Sequence, residues 1–268
     1  MSPTRRPPRL DPAPVVRLPE PRTTAERLVR SRVAGRSSRL GPTELRRLAS
    51  RLVAGDRVAL GGFGSFDGLT QHEVSRVLRD VYGAWPDVPA IDADRTLDGA
   101  QRAAERVAAV AAAGGSVVCA TSRPASLFAL HARIAAAARR AGARVVDDDD
   151  SGELRVDGRR ARRLRSLLGV MIVTDGASVL AVDGPEAPDE ARFVLARPDL
   201  VVADGTFARG LAPAGLAVVA LGGLELLPLA VAGARGAPVT VVPLEDTRHP
   251  SAYEPLAEVF EVALGGSG

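Results

Sequence analysis

The chain has 268 residues, a formal net charge of +3 and 46% hydrophobic residues. This composition is close to that of globular proteins, which excludes a wholly disordered chain, and a single cysteine excludes a disulfide scaffold. All 35 residues of the lysine and arginine class are arginine, so Schiff-base chemistry on a lysine and a P-loop lysine are also excluded. Because the lone thiol of Cys119 fits a reducing compartment, we expect a cytoplasmic protein.

The first 22 residues are rich in proline and arginine, and we expect them to form a disordered basic tail. They contain no apolar run of the kind that a secretory signal needs. No stretch of the chain has the roughly 18 uncharged apolar residues of a membrane-spanning helix, so no membrane association is expected. The tail also lacks aromatic residues that could stack on bases, so nucleic acid is not an expected partner.

From residue 23 to about residue 95 the pattern is mainly helical, because apolar residues recur every three or four positions. Helices are predicted after Thr23, after Gly41 and over 71–81. Residues 58–60 suit a short strand. The glycine-rich segment 61–64 that follows lacks the full G-x-G-x-x-G spacing of a dinucleotide-binding loop, so it is weak support for a nucleotide site.

After residue 96, short apolar runs alternate regularly with helical patterns. Strands are predicted at 116–120, 144–147, 170–174, 178–182, 200–203, 216–221 and 239–243. Helices are predicted at 97–113, 125–141, 159–168, 188–197, 206–211, 224–234 and 251–262. Such alternation is typical of parallel strands that are covered by helices on both faces. The sequence therefore predicts one three-layer α/β domain over 23–268, with a helical N-terminal part over about 23–95 and a mostly parallel central sheet over about 96–264.

Polar side chains follow four of the predicted strands, at the sheet edge where open parallel sheets bind their ligands. These residues are Thr121, Ser122, Arg123, Asp175, Asp204, Glu245, Asp246 and His249. Each residue type is also common in turns and helix caps, so any one of them alone is compatible with a purely structural role. Their recurrence at four strand ends indicates a site for an anionic ligand.

The chemistry of these side chains suggests separate roles. Thr121, Ser122 and Arg123 precede a predicted helix, so their hydroxyls, backbone N–H groups and guanidinium are suited to binding a phosphate group. The carboxylates of Asp175, Asp204 and Asp246 are predicted ligands of a hard cation, Mg²⁺ or Mn²⁺. No organic cofactor is expected. Because Arg123 precedes a proline at the helix start, we expect its side chain to lie over the sheet edge, beside Asp175 and Asp204.

Two histidines are candidates for proton transfer: His131 on the predicted helix 125–141 and His249 in the last strand-end loop. A helical histidine such as His131 is equally compatible with a packed side chain. The histidines lack the spacing of a zinc site, and the chain lacks the G-x-S-x-G segment of an α/β-hydrolase.

Six segments of the sequence resemble, in the same order, a family of actinobacterial proteins described as phosphatases. The segments are LVRSRVAG at 28–35, AIDADRTLDG at 90–99, VVCATSRPASLFALH at 117–131, DGASVL at 175–180, RPDLVVADGTFARG at 197–210 and VTVVPLEDTRHPSAYEPL at 239–256. In that family Gly-His-Pro stands in place of Ser122-Arg123-Pro124, acid-His-Gly in place of Thr174-Asp175-Gly176, and Asp-His in place of Asp204-Gly205. The resemblance thus implies a divergent α/β phosphatase that keeps His131, Asp204 and Asp246.

Two functions remain open from the sequence. The first is a metal-assisted phosphatase that acts on a phosphorylated small molecule and is impaired by the missing histidines. The second is a non-catalytic paralogue that binds a phosphate or nucleotide ligand on the same scaffold. A fainter similarity, through DGASVL and ARPDLVVADG, is to another metal-dependent α/β phosphatase family, which places a lysine near Asp204; this chain has none.

Overall fold

The computed structural model describes residues 23–265, except residue 38 and the segments 148–152, 155–161 and 183–196. The expected tail over 1–22 and nearly all of the predicted helix 188–197 lie outside the described residues. The helices are α1 (Thr24–Arg30), α2 (Pro42–Val53), α3 (Gln71–Val77), α4 (Ala93–Ala112), α5 (Pro124–Arg140), α6 (Gly205–Leu211), α7 (Leu227–Ala234) and α8 (Glu254–Gly265). A π-helical turn, Leu78–Tyr82, follows α3, and 3₁₀ turns at Leu224–Leu226 and Pro250–Tyr253 precede α7 and α8.

The strands form a large sheet and a small one. They are β1 (Gly35–Arg36), β2 (Ala90–Ile91), β3 (Ser116–Ala120), β4 (Arg144–Val145), β5 (Glu153–Leu154), β6 (Arg162–Leu167), β7 (Val170–Thr174), β8 (Val179–Leu180), β9 (Leu200–Asp204), β10 (Val218–Gly222) and β11 (Val239–Pro243). In the 9-stranded sheet the order is β11-β10-β9-β3-β7-β6-β5, with β4 paired to β3 and β8 paired to β7. β1 and β2 pair antiparallel.

The large sheet is mostly parallel, as predicted. Strands β3, β4, β7, β9, β10 and β11 run parallel, whereas β5, β6 and β8 are antiparallel to their neighbours. Every residue of β3, β7, β9 and β10 is buried, which explains why these strands are continuous apolar runs rather than alternating ones. The three-layer α/β fold is therefore confirmed.

Helices cover both faces of this sheet. α4, α5 and α8 pack on one another, with α4 against β11 and α5 against β3 and β7, whereas α6 and α7 contact strands β9 to β11. The buried side chains of the N-terminal helices belong to the same hydrophobic cluster as the sheet. The expected division of the chain near residue 95 stays a prediction. Among the described residues, no helix has both the length and the apolar character that crossing a bilayer requires.

The way β3 is paired determines which strand ends meet. β9 pairs with β3 from Val117 to Ala120, so the two strands end level with each other. Two strands pair with the other edge of β3. β4 pairs with its first residues, and β7 pairs with it only from Cys119 onwards. β7 therefore extends well beyond the ends of β3 and β9.

Two predicted elements are wrong. The predicted basic helix 159–168 contains strand β6, which pairs antiparallel with β7 from Arg163 to Leu167. The predicted strand 58–60 is a series of turns. There, the backbone N–H groups of Val58 and Ala59 donate to Asp56 Oδ1, both at 3.0 Å, so a side chain satisfies the donors that a strand would pair with a neighbour.

Candidate functional site

A buried carboxylate, Asp204, joins the ends of β9 and β3. Asp204 is fully buried, and the backbone N–H and hydroxyl of Ser122 donate to its Oδ1 at 2.7 and 2.6 Å, while the Thr121 hydroxyl donates to Oδ2. The next residue, Gly205, has φ of +36°, and a Cβ there would lie 2.9 Å from Ser122 Oγ. A glycine is required because a side chain would displace the Ser122 hydroxyl from Asp204.

His131 closes this cluster from helix α5. Its ring is fully buried, and its Nε2 lies 3.6 Å from Asp204 Oδ2, too far for a hydrogen bond. Neither ring nitrogen has a hydrogen-bond partner among the described residues. Burial acts to raise the pKa of Asp204, but His131 and the hydroxyls of Ser122 and Thr121 outweigh it, so the pKa lies below its usual value.

A second buried carboxyl, Asp246, lies beyond the end of β11 and between two arginines. Its Oδ2 is 2.7 Å from Arg123 Nε and 3.3 Å from Arg39 Nη1. The side chains of Arg123 and Arg39 are 13% and 30% exposed, whereas that of Asp246 is fully buried beneath them. The Ser126 hydroxyl donates to the Asp246 carbonyl at 2.6 Å, which ties this loop to the first turn of α5.

The pKa of Asp246 is raised to about 6, mainly by burial and then by the neighbouring charge of Glu225. Arg123 and Arg39 act in the opposite direction but do not compensate fully. The carboxyl therefore changes its protonation near neutral pH, which is the property required of a proton-transfer group.

Glu225 links this carboxyl to the end of β10. Its Oε1 accepts from the backbone N–H of Gly223 at 3.1 Å and lies 3.4 Å from Arg39 Nη1. Its Oε2 and the hydroxyl of Tyr82 are both buried without a hydrogen-bond partner in the described part of the chain. Burial and the charge of Glu225 raise the pKa of Tyr82 well above its usual value, so this hydroxyl stays protonated.

A cleft of about 280 Å³ opens beside Glu225. One part of its wall is charged and the other part is apolar. The charged residues are Arg47, Arg51, Arg209, Glu44 and Glu225, and the apolar ones include Leu40, Leu48, Val58 and Pro228. We call this cavity the cleft, and we call the four residues Arg39, Arg123, Glu225 and Asp246 the rim.

The comparison with known proteins assigns the chain to a family. The family described as Phosphatase matches residues 20–263, nearly the whole chain. The chain belongs to this phosphatase family. Searches of the curated proteins and of the solved structures found no match. The family resemblance predicted from the sequence is confirmed, whereas the actinobacterial origin and the divergence of this chain from the family stay predictions.

The fold brings most of the predicted site residues to one edge of the sheet. Thr121 and Ser122 contact Asp204 with His131 beside it, and Arg123 pairs with Asp246. Arg123 was expected beside Asp175 and Asp204, but its ion pair is to the carboxyl after β11. The roles assigned to these residues stay predictions.

Asp175 and His249 lie elsewhere. Asp175 Oδ1 accepts from the backbone N–H groups of Ala177 and Ser178 at 3.0 and 2.7 Å, so it stabilises the turn after β7. By strand register it lies three residues farther along the strand direction than Asp204, on the order of 10 Å, and two strands away. His249 is exposed, and its Nδ1 accepts from the Ser251 N–H at the start of a 3₁₀ turn.

Asp175 therefore lies apart from Asp204, and the metal-ligand roles of Asp175, Asp204 and Asp246 stay predictions. Among the described residues, no group of three or more histidine, cysteine, aspartate or glutamate side chains could hold a metal ion. The physical reason is the late start of β7 beside β3, which carries Asp175 past the other two strand ends.

Sequence reasoning missed Arg39, Glu225 and the arginines of the cleft. Glu225 could have been found, because it follows the predicted strand 216–221 and the same strand-end rule applies to it. Arg39 carries no such signal, because it lies in the connection between β1 and α2. In sequence this connection is far from any strand of the large sheet.

Proposed function

We propose that this chain hydrolyses the phosphate monoester of a small molecule at the rim. The observation that carries the proposal is a buried carboxyl, Asp246, held between two partly exposed arginines in a chain of the phosphatase family. Arg39 and Arg123 present guanidinium groups that suit the oxygens of a phosphoryl group. Their contacts with Asp246 then place that group next to a carboxyl of raised pKa.

The proposed reaction needs only the ester and water. A water molecule attacks the phosphorus while ionised Asp246 takes one of its protons, and the P–O bond to the alcohol breaks. The leaving alkoxide takes a proton from solvent and Asp246 gives its proton back to solvent, so the products are the free alcohol and inorganic phosphate. The arginines stabilise the charge on the non-bridging oxygens, as electrostatic stabilisation of phosphoryl transfer requires.

In this proposal Asp204, Ser122, Thr121 and His131 act as a framework rather than as substrate ligands. Both oxygens of Asp204 already accept hydrogen bonds, Oδ1 from Ser122 and Oδ2 from Thr121, so these side chains satisfy one another. Their contacts fix the end of β3, which sets the direction in which Arg123 leaves the sheet.

The metal dependence inferred from the sequence stays a prediction, and the residues of the rim do not fit a cation well. Asp246 is already neutralised by two guanidinium groups, so a divalent cation there would have to displace at least one arginine. The proposed step therefore does not pass through a metal.

The test is a screen of phosphomonoesters with EDTA, with Mg²⁺ and with Mn²⁺. We expect turnover that persists in EDTA, and a kcat/KM that rises as pH increases through about 6, because the base is ionised above its pKa. Asp246→Asn should lower kcat by roughly 100-fold or more. Asp98→Asn, on the exposed face of α4, is the matched control and should leave kcat unchanged.

Two results would contradict the proposal. If the Asp246→Asn enzyme keeps the wild-type kcat, Asp246 is not the base. If EDTA abolishes turnover and Mg²⁺ restores it, the metal-free step is contradicted and the predicted metal dependence is supported instead.

A non-catalytic binding protein is the second candidate. It is favoured by the positions of the two candidate histidines, because His249 is exposed in the last loop and His131 Nε2 lies beside Asp204 rather than at the rim. Thermal unfolding with inorganic phosphate and with phosphomonoesters separates the two candidates. A raised Tm without hydrolysis supports binding alone, whereas hydrolysis that is lost in Asp246→Asn supports the enzyme.

A further inference from the structure

We propose that the cleft binds the alcohol portion of the ester, and that this portion carries an apolar body and a second anionic group. The inference rests on the proposed function, because it uses the rim as the place where the phosphoryl group binds. It names a ligand chemistry that the rim by itself does not determine.

The charge of the cleft indicates the anionic group. Three arginines and two glutamates line it. Glu225 is paired with Arg39, and Arg51 is paired with Asp56 at 2.8 Å. Within the described part of the chain, Arg47 and Arg209 have no ion-pair partner, and Arg209 is partly buried. A partly desolvated guanidinium is stabilised by an anion that accepts its hydrogen bonds.

The apolar wall indicates the body of the ligand. Leu40, Leu48 and Pro228 line the cleft, and Val58 lines it with 79% of its surface exposed. An apolar ring or chain placed there would remove this surface from water, which is favourable in proportion to the area covered. The volume of about 280 Å³ suits a small organic group rather than a polymer.

The cleft and the rim are close enough for one molecule to occupy both. Glu225 belongs to both, and its partner Arg39 contacts Asp246. Leu40, which lines the cleft, directly follows Arg39 in the chain. An ester whose phosphoryl group binds Arg39 and Arg123 would therefore extend its alcohol portion along Leu40 towards Arg209.

Two non-hydrolysable probes test this inference without requiring turnover. Phenylphosphonate has the apolar ring alone, and 4-phosphonobenzoate adds a carboxylate at the far end of the ring. Calorimetry should show that the wild-type chain binds 4-phosphonobenzoate about tenfold more tightly or better, as expected for one charge-assisted pair. Arg209→Gln and Arg47→Gln together should reduce this ratio to about one while leaving the affinity for phenylphosphonate unchanged.

Arg102→Gln is the matched control, because Arg102 is an exposed arginine on α4 that does not line the cleft. A ratio near one in the wild-type chain overturns the inference, and so does a ratio that survives in the double variant or is lost in Arg102→Gln. Turnover of phosphate esters without this selectivity contradicts only the inference. Selectivity without turnover contradicts only the proposed reaction.

Discussion

Asp204 and Asp246 are both buried carboxyls at the same edge of the sheet, yet their pKa values move in opposite directions. Burial raises the pKa of Asp204, but His131 and the hydroxyls of Ser122 and Thr121 favour its ionised form and lower the pKa below its usual value. Asp246 has long contacts to Arg39 and one close contact to Arg123, so burial and the charge of Glu225 prevail. The neighbours of each group thus distinguish the proposed framework carboxylate, Asp204, from the proposed proton-transfer group, Asp246.

Arg123 gives a direct test of this explanation. Because its charge holds down the pKa of Asp246, Arg123→Gln should raise that pKa above 6. The acidic limb of the kcat/KM profile should then move to higher pH by roughly 1 unit. The control is Arg133→Gln, which removes an arginine of α5 that is paired with Glu261 of α8. It should leave the acidic limb in place. An unmoved limb in Arg123→Gln would show that another group controls the pH dependence.

At single residues, sequence reasoning succeeded where a strand end determines the position. Thr121 and Ser122 follow β3, and Asp204 is the last residue of β9, which ends level with β3, so the strand-end rule was enough to bring them together. The rule failed for Asp175. Because β4 pairs with the first part of β3, β7 starts to pair with β3 only near its end, and the sequence does not show this register. Arg39 was missed because its proximity to Asp246 arises only from tertiary packing.

Among the elements, the hairpin β6–β7 shows how a helical pattern can mislead. Leu164, Leu167 and Leu168 are spaced by three and one, which suits one face of a helix. In the structure Leu164 is buried in the sheet, whereas Leu167 and Leu168 are 50% and 66% exposed. Leu168 and Gly169 have φ of +53° and +80° and form the two-residue turn of a hairpin. A leucine in that conformation is unusual, so the turn was not predicted.

The close contact between α4 and β11 positions the part of the rim that contains Asp246. Gly99 of α4 lies so close to the strand that a Cβ would meet Val241 O at 2.9 Å and Pro243 Cδ at 3.0 Å. One turn earlier on α4, the Thr96 hydroxyl donates to the Pro243 carbonyl at 2.7 Å. The end of β11, and with it the loop that carries Asp246, is therefore positioned by the close approach of this helix.

Gly99→Ala tests this contact. Alanine is a better helix former than glycine by about 1 kcal/mol, but the added methyl group has no space. We expect overpacking to dominate and the free energy of unfolding to fall by roughly 1–3 kcal/mol, with a loss of kcat as the Asp246 loop shifts. Gly265→Ala at the end of α8, where no atom lies within 4 Å of the added Cβ, is the control in urea unfolding. A stabilised Gly99→Ala chain would disprove the tight contact.

For the molecule as a whole, the rim combines residues from distant parts of the chain. Arg39 comes from the N-terminal part, Arg123 follows β3, Glu225 follows β10 and Asp246 follows β11. The alternation of strands and helices was sufficient to predict the parallel strands of the large sheet, because each of them is a continuous apolar run that has to be buried. It could not predict that the N-terminal part lies over the carboxyl edge, since that depends on which surfaces of finished elements fit together.

The two carboxyls should also give the whole molecule a characteristic dependence of stability on pH. Asp204 has a lowered pKa in the folded state, so its stabilising contribution is present above its unfolded pKa and is lost as pH falls through the folded pKa. Asp246 has a raised pKa of about 6, so its ionisation costs the folded state free energy as pH rises from about 4 to about 6. That cost is about 3 kcal/mol, because each pH unit of the difference corresponds to about 1.4 kcal/mol.

Urea unfolding at pH 4 and pH 7.5 measures both contributions. Asp246→Asn removes the ionisation, so relative to the wild-type chain it should gain stability between pH 4 and pH 7.5, by up to about 3 kcal/mol. Asp204→Asn should be less stable than wild type at pH 7.5, and its deficit should shrink below pH 4 as Asp204 becomes protonated in the wild-type chain. Asp98→Asn should follow the wild-type curve. Parallel curves for all four chains would mean that neither carboxyl titrates differently in the folded and unfolded states, and would remove the basis for assigning proton transfer to Asp246.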